Sequence, residues 1–156
     1  LRSALNLLLF VALVAAIAAV GAVFPPGTWY DGLAKPSWTP PDSLFGPVWT
    51  ALYVTIAVAG WLAWRRRQSG ERRRVRAAFV FYGLQLGLNA LWSVFFFGLQ
   101  RPDIAFADLA LLWLAILANI LLFYGLSPAA GLLLIPYFAW VSFAARLNLD
   151  VWRLNS

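Results

Sequence analysis

Five stretches of this chain carry no charge, or almost none, over about the 20 residues a helix needs to cross a bilayer. They run approximately Ala4–Phe24, Leu44–Trp64, Ala77–Leu99, Ile104–Leu126 and Ala129–Leu149. The expected fold is an all-α membrane protein, one bundle of five transmembrane helices over residues 1–156. Composition agrees: only 12% of the residues are charged, against about 25% in soluble domains. So little charge could not cover 63% apolar residues in water. A cytosolic globular domain, a disordered chain and a nucleic-acid binder are thereby excluded. The first stretch also has signal-peptide features, Arg2 ahead of it and Ala19-Val20-Gly21 near its end. Its apolar run exceeds the 7–15 residues of a signal core, so it is read as a span. Only Ser127-Pro128 or so joins the fourth and fifth stretches, which makes them an antiparallel pair.

Charge sets the expected orientation. The segment from Arg65 to Arg76 holds seven arginines and one glutamate, a balance of +6, and the rest of the chain balances to zero. Arginine-rich short loops stay on the cytoplasmic side, which puts the N-terminus inside and the C-terminus outside. A basic run flanked directly by spans is also suited to anionic lipid headgroups.

The lid loop 25–43 between the first two spans is the longest connection, with five of the nine prolines and Trp29, Tyr30 and Trp38. Proline fixes φ and lowers the entropy cost of ordering a loop. Two readings follow: an interfacial aromatic belt, or a rigid lid over the outer mouth of the bundle.

The run Trp29-Tyr30-Asp31-x-Leu33-x-Lys35-Pro36-x-Trp38-x-Pro40-Pro41, followed by Trp49-x-x-Leu52-Tyr53, resembles the tryptophan-rich sensory protein family. Mitochondrial members of that family are the translocator proteins, or peripheral-type benzodiazepine receptors; the resemblance implies a bacterial member here. The resemblance continues in Asn89-x-x-Trp92-Ser93 and Pro136-Tyr137-Phe138-x-Trp140, and covers all five spans in order.

Span three places Gln85, Asn89, Trp92, Ser93 and Phe96 within about 100° of one another on one helix face. Gly83 and Gly87, continued by Ala90 and Val94, form a small-residue stripe on the opposite face, suited to close helix contact and to a homodimer interface. The polar face could serve hydrogen bonds between helices or the wall of a cavity. Depth counted along the helices lets Trp49, Tyr53, Asn89, Trp92, Ser93, Phe96 and Trp140 converge in the outer half, beneath the lid. Aromatic walls with a few polar groups suit a flat, mostly apolar ligand. The family resemblance implies a pocket at Tyr30, Pro40, Trp49, Tyr53, Asn89, Trp92, Ser93, Phe96, Leu109, Trp140 and Ala144. It implies tetrapyrroles such as protoporphyrin IX, and isoquinoline carboxamide drugs, as ligands.

Pro136 should kink or locally unwind span five one turn before Trp140. Asp108 and Arg146 are the only charges well inside the spans; snorkelling to the interface or a mutual ion pair would accommodate them. Animal relatives end span five with a sterol-recognition pattern whose Tyr position is Leu149 here, so sterol binding is not expected.

Three functions fit such a chain to different degrees. The first is a sensor or carrier that binds porphyrin. The second is an enzyme that degrades porphyrin with light and oxygen, with the indoles of Trp49 and Trp140 as catalytic candidates. The third, a transporter, lacks inverted repeats and a carboxylate at mid-membrane. With no His and no Cys, no metal site, no cofactor and no ordinary acid–base or nucleophilic centre is expected.

Overall fold

In an apolar stretch without water, backbone N–H and C=O groups find partners most directly within a helix. The computed structural model, which describes residues 1–156, realises each apolar run that way. The elements are α1 (Arg2–Val23), α2 (Thr28–Asp31), α3 (Asp42–Arg65), α4 (Arg72–Ser93), α5 (Pro102–Leu126), α6 (Pro128–Leu133) and α7 (Ile135–Leu154). Five helical stretches are long and apolar enough to cross a membrane, with α6 and α7 together forming the fifth.

Helix ends carry ordinary signals. Asp42 and Asp103 sit in first turns and Arg65 and Arg153 in last turns, each favourable to the helix dipole. Prolines open α5 and α6, where a missing N–H costs nothing. Ser127 caps α6 by accepting from the Ala130 N–H at 3.4 Å. Most boundaries fall within about two residues of expectation, and two differ by more. Span three begins at Arg72 rather than Ala77, because arginine is a good helix former although it cannot enter hydrocarbon. Span five runs on to Leu154 instead of stopping at Leu149. The expected disturbance at Pro136 is present: the helix breaks at Leu134 and restarts with Pro136 in the first turn of α7.

The helices form a ring. α1 packs on α3 and α4, α4 on α5, α5 on α7 and α6, and α6 closes back onto α3. At the arginine-loop end the bundle is tight. A Cβ at Gly60 would stand 2.5 Å from the Tyr82 hydroxyl oxygen and 2.8 Å from the Phe10 ring, so three helices meet where only glycine fits. There Tyr82 stacks on Phe123 at 5.4 Å and donates to the Ile56 carbonyl at 2.8 Å. Toward the lid, α7 has few contacts with α3, and the helices diverge around a space. α1 buries only Val14 fully, with Phe10 and Ile17 half-buried against the core; most of its other apolar side chains are exposed, as lipid-facing surfaces are.

Gly83 and Gly87 lie on the outer surface of α4, with open space where a Cβ would stand. They pack against no helix of their own chain, which agrees with their place opposite the polar face.

Candidate functional site

The space at the lid end is a cavity of about 510 Å³, within the roughly 300–1,000 Å³ usual for small-molecule sites. Its walls come from α1, α3, α4, α5 and α7, and its roof from the lid. Ten of the eleven residues implied by the family resemblance line it: Tyr30, Trp49, Tyr53, Asn89, Trp92, Ser93, Phe96, Leu109, Trp140 and Ala144. Pro40 does not. It stands half-buried just before Pro41 caps α3, at the base of the lid and off the cavity wall.

The roof is built on α2, a single helical turn inside the proline-rich loop. Tyr30 is buried beneath it and meets Phe96 edge-on at 6.2 Å and Phe97 at 5.6 Å, while the Lys35 ammonium lies 4.4 Å above its ring. Burial, and after it the charges of Asp42 and Asp31, push the Tyr30 hydroxyl above its ordinary value. Trp29 packs edge-on Phe96 at 5.6 Å and Trp38 on Phe143 at 5.6 Å. Of the two readings of this loop, the lid describes it: its aromatics dock on the bundle.

A wide helical turn, Val94–Gly98, ends span three. Such π-type turns are rare and gather at functional sites. Here it sets Phe96 into the cavity wall, 3% exposed, and stacks it on Trp92 at 5.0 Å. Gln100 then turns the chain with a positive φ of 56° before α5.

The polar groups of span three divide the two roles between them. Gln85 is fully buried and accepts from the Tyr137 hydroxyl at 2.8 Å, a link between helices. Asn89 does both: it donates to the Tyr137 oxygen at 2.8 Å, accepts from the Tyr53 hydroxyl at 3.4 Å, and lines the cavity. Ser93 lines the cavity without a protein partner for its hydroxyl among the hydrogen bonds formed. Tyr137 also meets Trp49 edge-on at 6.4 Å, so the network steadies an aromatic wall.

Trp140, one turn after Pro136, meets Phe45 edge-on at 5.7 Å, and its indole N–H is buried without a partner. A buried unmade donor is costly; the indole lines the cavity while its N–H stays enclosed.

Asp108 and Arg146 do not pair. Arg146 bonds Asp150 at 3.0 Å on an exposed face. Asp108 is only 4% exposed and neither carboxylate oxygen has a partner, so it is enclosed against the neighbouring helices and does not snorkel. The geometry gathers no set of His, Cys, Asp or Glu that could hold a metal ion.

Sequence reading missed the α1 wall (Ala18, Gly21, Ala22, Phe24), the α3 stripe Asp42, Gly46 and Thr50, and Asn148. α1 is apolar on every side and gives no periodic signal. The α3 stripe did carry one, since it recurs at intervals of four on the helix flank beside Trp49 and Tyr53. Asn148 accepts from the Trp92 indole N–H at 2.9 Å and donates to the Pro102 carbonyl at 2.8 Å. A lone amide inside an apolar span was its signal.

A sequence model of the TspO/MBR family matches residues 10–153. The chain is 41% identical to the tryptophan-rich protein TspO of Chlorobaculum tepidum over 157 residues, covering 99% of this chain and 98% of that one. It is 41% identical to protein CrtK of Rhodobacter capsulatus over 140 residues (88% and 84%). It is 40% identical to the human translocator protein over 139 residues (87% and 82%).

Proposed function

Since the chain belongs to the TspO/MBR family of multi-pass membrane proteins, we propose that it is a sensor or carrier that binds porphyrins and other flat apolar molecules in the cavity beneath its lid. The observation that carries this reading is the cavity's lining. Trp49, Trp92 and Trp140 with Tyr30, Tyr53, Phe45, Phe96 and Phe97 surround about 510 Å³, and few polar groups interrupt them. Rings of this kind offer π faces and edges to a planar macrocycle. The Asn89 amide and the Ser93 hydroxyl orient its polar substituents. The names of the relatives, sensory protein and translocator protein, accord with binding and passage. The arginine loop faces the cytoplasm and the lid the opposite side, and two copies pair through Gly83 and Gly87.

The Trp140 indole favours a second reading, light- and oxygen-dependent degradation of the porphyrin. Trp140 lines the cavity, where its indole can relay an electron between the excited macrocycle and O2 and recover it, while the two oxygen atoms of O2 add across the carbon–carbon bond of the macrocycle that breaks.

Adding protoporphyrin IX to the purified protein, first dark and then illuminated, tests both readings. Saturable quenching of tryptophan fluorescence in the dark supports binding; no quenching contradicts it. Light-driven loss of the Soret band supports the enzyme only if Trp49→Phe or Trp140→Phe abolishes it while dark binding survives. Phe keeps a stacking face, so those variants should weaken dark binding by only about 0.5–1.5 kcal/mol.

A further inference from the structure

We propose that molecules reach this cavity sideways, out of the lid-side leaflet of the bilayer, through a window between α1 and α3. The inference rests on the reading of the cavity as a ligand site. It adds the route, and with it the ligand class: an amphiphile already dissolved in lipid.

The lid is fastened along one side only. Its aromatics dock on the wide turn after α4 and on α7, through the Phe96, Phe97 and Phe143 contacts described above. A clasp adds to them. The Ala34 N–H donates to Asn155 Oδ1 at 2.9 Å, and Asn155 Nδ2 donates to the Ala34 carbonyl at 2.8 Å. The same Nδ2 donates to the Val151 carbonyl at 2.7 Å, which fixes the amide to the end of α7. One side chain thus pairs with both backbone groups of a lid residue, as a neighbouring strand would. Below these anchors the wall is sealed: Phe96, Leu109, Leu112 and Val151 are 1–3% exposed.

The opposite wall differs. Ala22 of α1 and Asp42, Gly46 and Thr50 of α3 line the cavity and are themselves exposed. The three α3 residues recur every fourth position, so they form one continuous face. A Cβ added at Gly46 would meet no atom within 4 Å, which leaves a gap in the wall at that height. α1 is held at its other end, where Phe10 meets Gly60 and Tyr82. Near the lid its Gly21 and the following Phe24 rest against span three at Ser93 and Gly98, while toward α3 it presents the small, exposed Ala22. Asp42 marks the rim at the start of α3, where a ligand's polar end can remain in the headgroup layer while its apolar body slides inward. A molecule arriving from water would have to break the clasp and the aromatic docking; one arriving from lipid meets Ala22, Gly46 and Thr50, with Asp42 at the rim.

The experiment uses the full chain in lipid nanodiscs, with protoporphyrin IX and stopped-flow tryptophan quenching. Gly46→Leu and Ala22→Phe narrow the window and should each lower the association rate at least tenfold, with the dissociation rate falling in parallel. A change that only damaged ligand contacts would raise the dissociation rate instead. Cutting the clasp with Asn155→Ala should leave both rates within about twofold. Faster association and dissociation in Asn155→Ala, with the window variants at wild-type rates, would overturn the proposal. If protoporphyrin IX fails to quench at all, the porphyrin reading falls and the window is tested without it. In this cysteine-free chain, Ala144→Cys should react with a bilayer-soluble maleimide, at least tenfold more slowly when Gly46→Leu is added. Equal labelling by a charged, water-soluble maleimide would refute the lipid route.

Discussion

Asn148 sits 2% exposed where three helices converge, holding the Trp92 indole and the Pro102 carbonyl with one amide. Replacing it with Leu preserves much of its volume and removes both bonds. The Pro102 carbonyl opens α5 and keeps the acceptor role that first-turn carbonyls have within a helix, so the loss falls mainly on the indole N–H. A buried donor left unpaired costs about 1–3 kcal/mol, whereas membrane double-mutant cycles average about 0.6 and reach about 1.7 kcal/mol. A coupling energy of roughly 1–1.5 kcal/mol between Asn148 and Trp92 is therefore expected. It can be measured by denaturant titration of the wild type, Asn148→Leu, Trp92→Phe and the double variant in mixed micelles. Trp92 also forms cavity wall, stacked on Phe96 at 5.0 Å. A loosened ring should lower ligand affinity in Asn148→Leu by about 3–10-fold, the equivalent of roughly 0.7–1.4 kcal/mol. Additivity of the two single changes within about 0.3 kcal/mol would refute the coupling, and with it the idea that this amide positions the wall.

Three further outcomes are expected. Gly60→Leu should destabilise the bundle by about 1–3 kcal/mol or more through overpacking, because its Cβ would collide with Tyr82 and Phe10; a thermal midpoint equal to wild type would show that the three helices are less closely fitted. Gly83→Leu with Gly87→Leu should shift the detergent-solubilised protein from dimer to monomer in light-scattering measurements, and a persistent dimer would place the interface elsewhere. In the cysteine-free chain, a thiol introduced by Ser69→Cys should react only with membrane-permeant reagents and one introduced by Gly32→Cys with impermeant reagents from outside; the reverse pattern would invert the orientation inferred from the arginine loop.

The sequence made the bundle legible because bilayer length, charge absence and the Ser127-Pro128 hinge are all local properties. Span ends were less so: Arg72 to Arg76 are helical although too charged to count as span. The pocket was largely legible because aromatic and amide residues at helical spacing mark one face, and the motif resemblance named ten of its lining residues. Two kinds of feature were hidden. α1 is apolar all round, so nothing in its sequence tells which residues meet the cavity. Contacts distant in the chain, such as Asn155 on Ala34, depend on where the lid finally lies, which no local pattern encodes.

Filling the cavity is the most direct test that it is the ligand site. Ala144 stands on its α7 wall, facing the space that the aromatics surround. A dark titration with protoporphyrin IX should show saturable quenching at one site per chain in the wild type. Ala144→Phe, with unchanged helical circular dichroism, should weaken that binding at least tenfold, because the added ring occupies the ligand's volume. Wild-type affinity in a folded Ala144→Phe protein would mean that porphyrin binds elsewhere on the molecule, and would contradict the account.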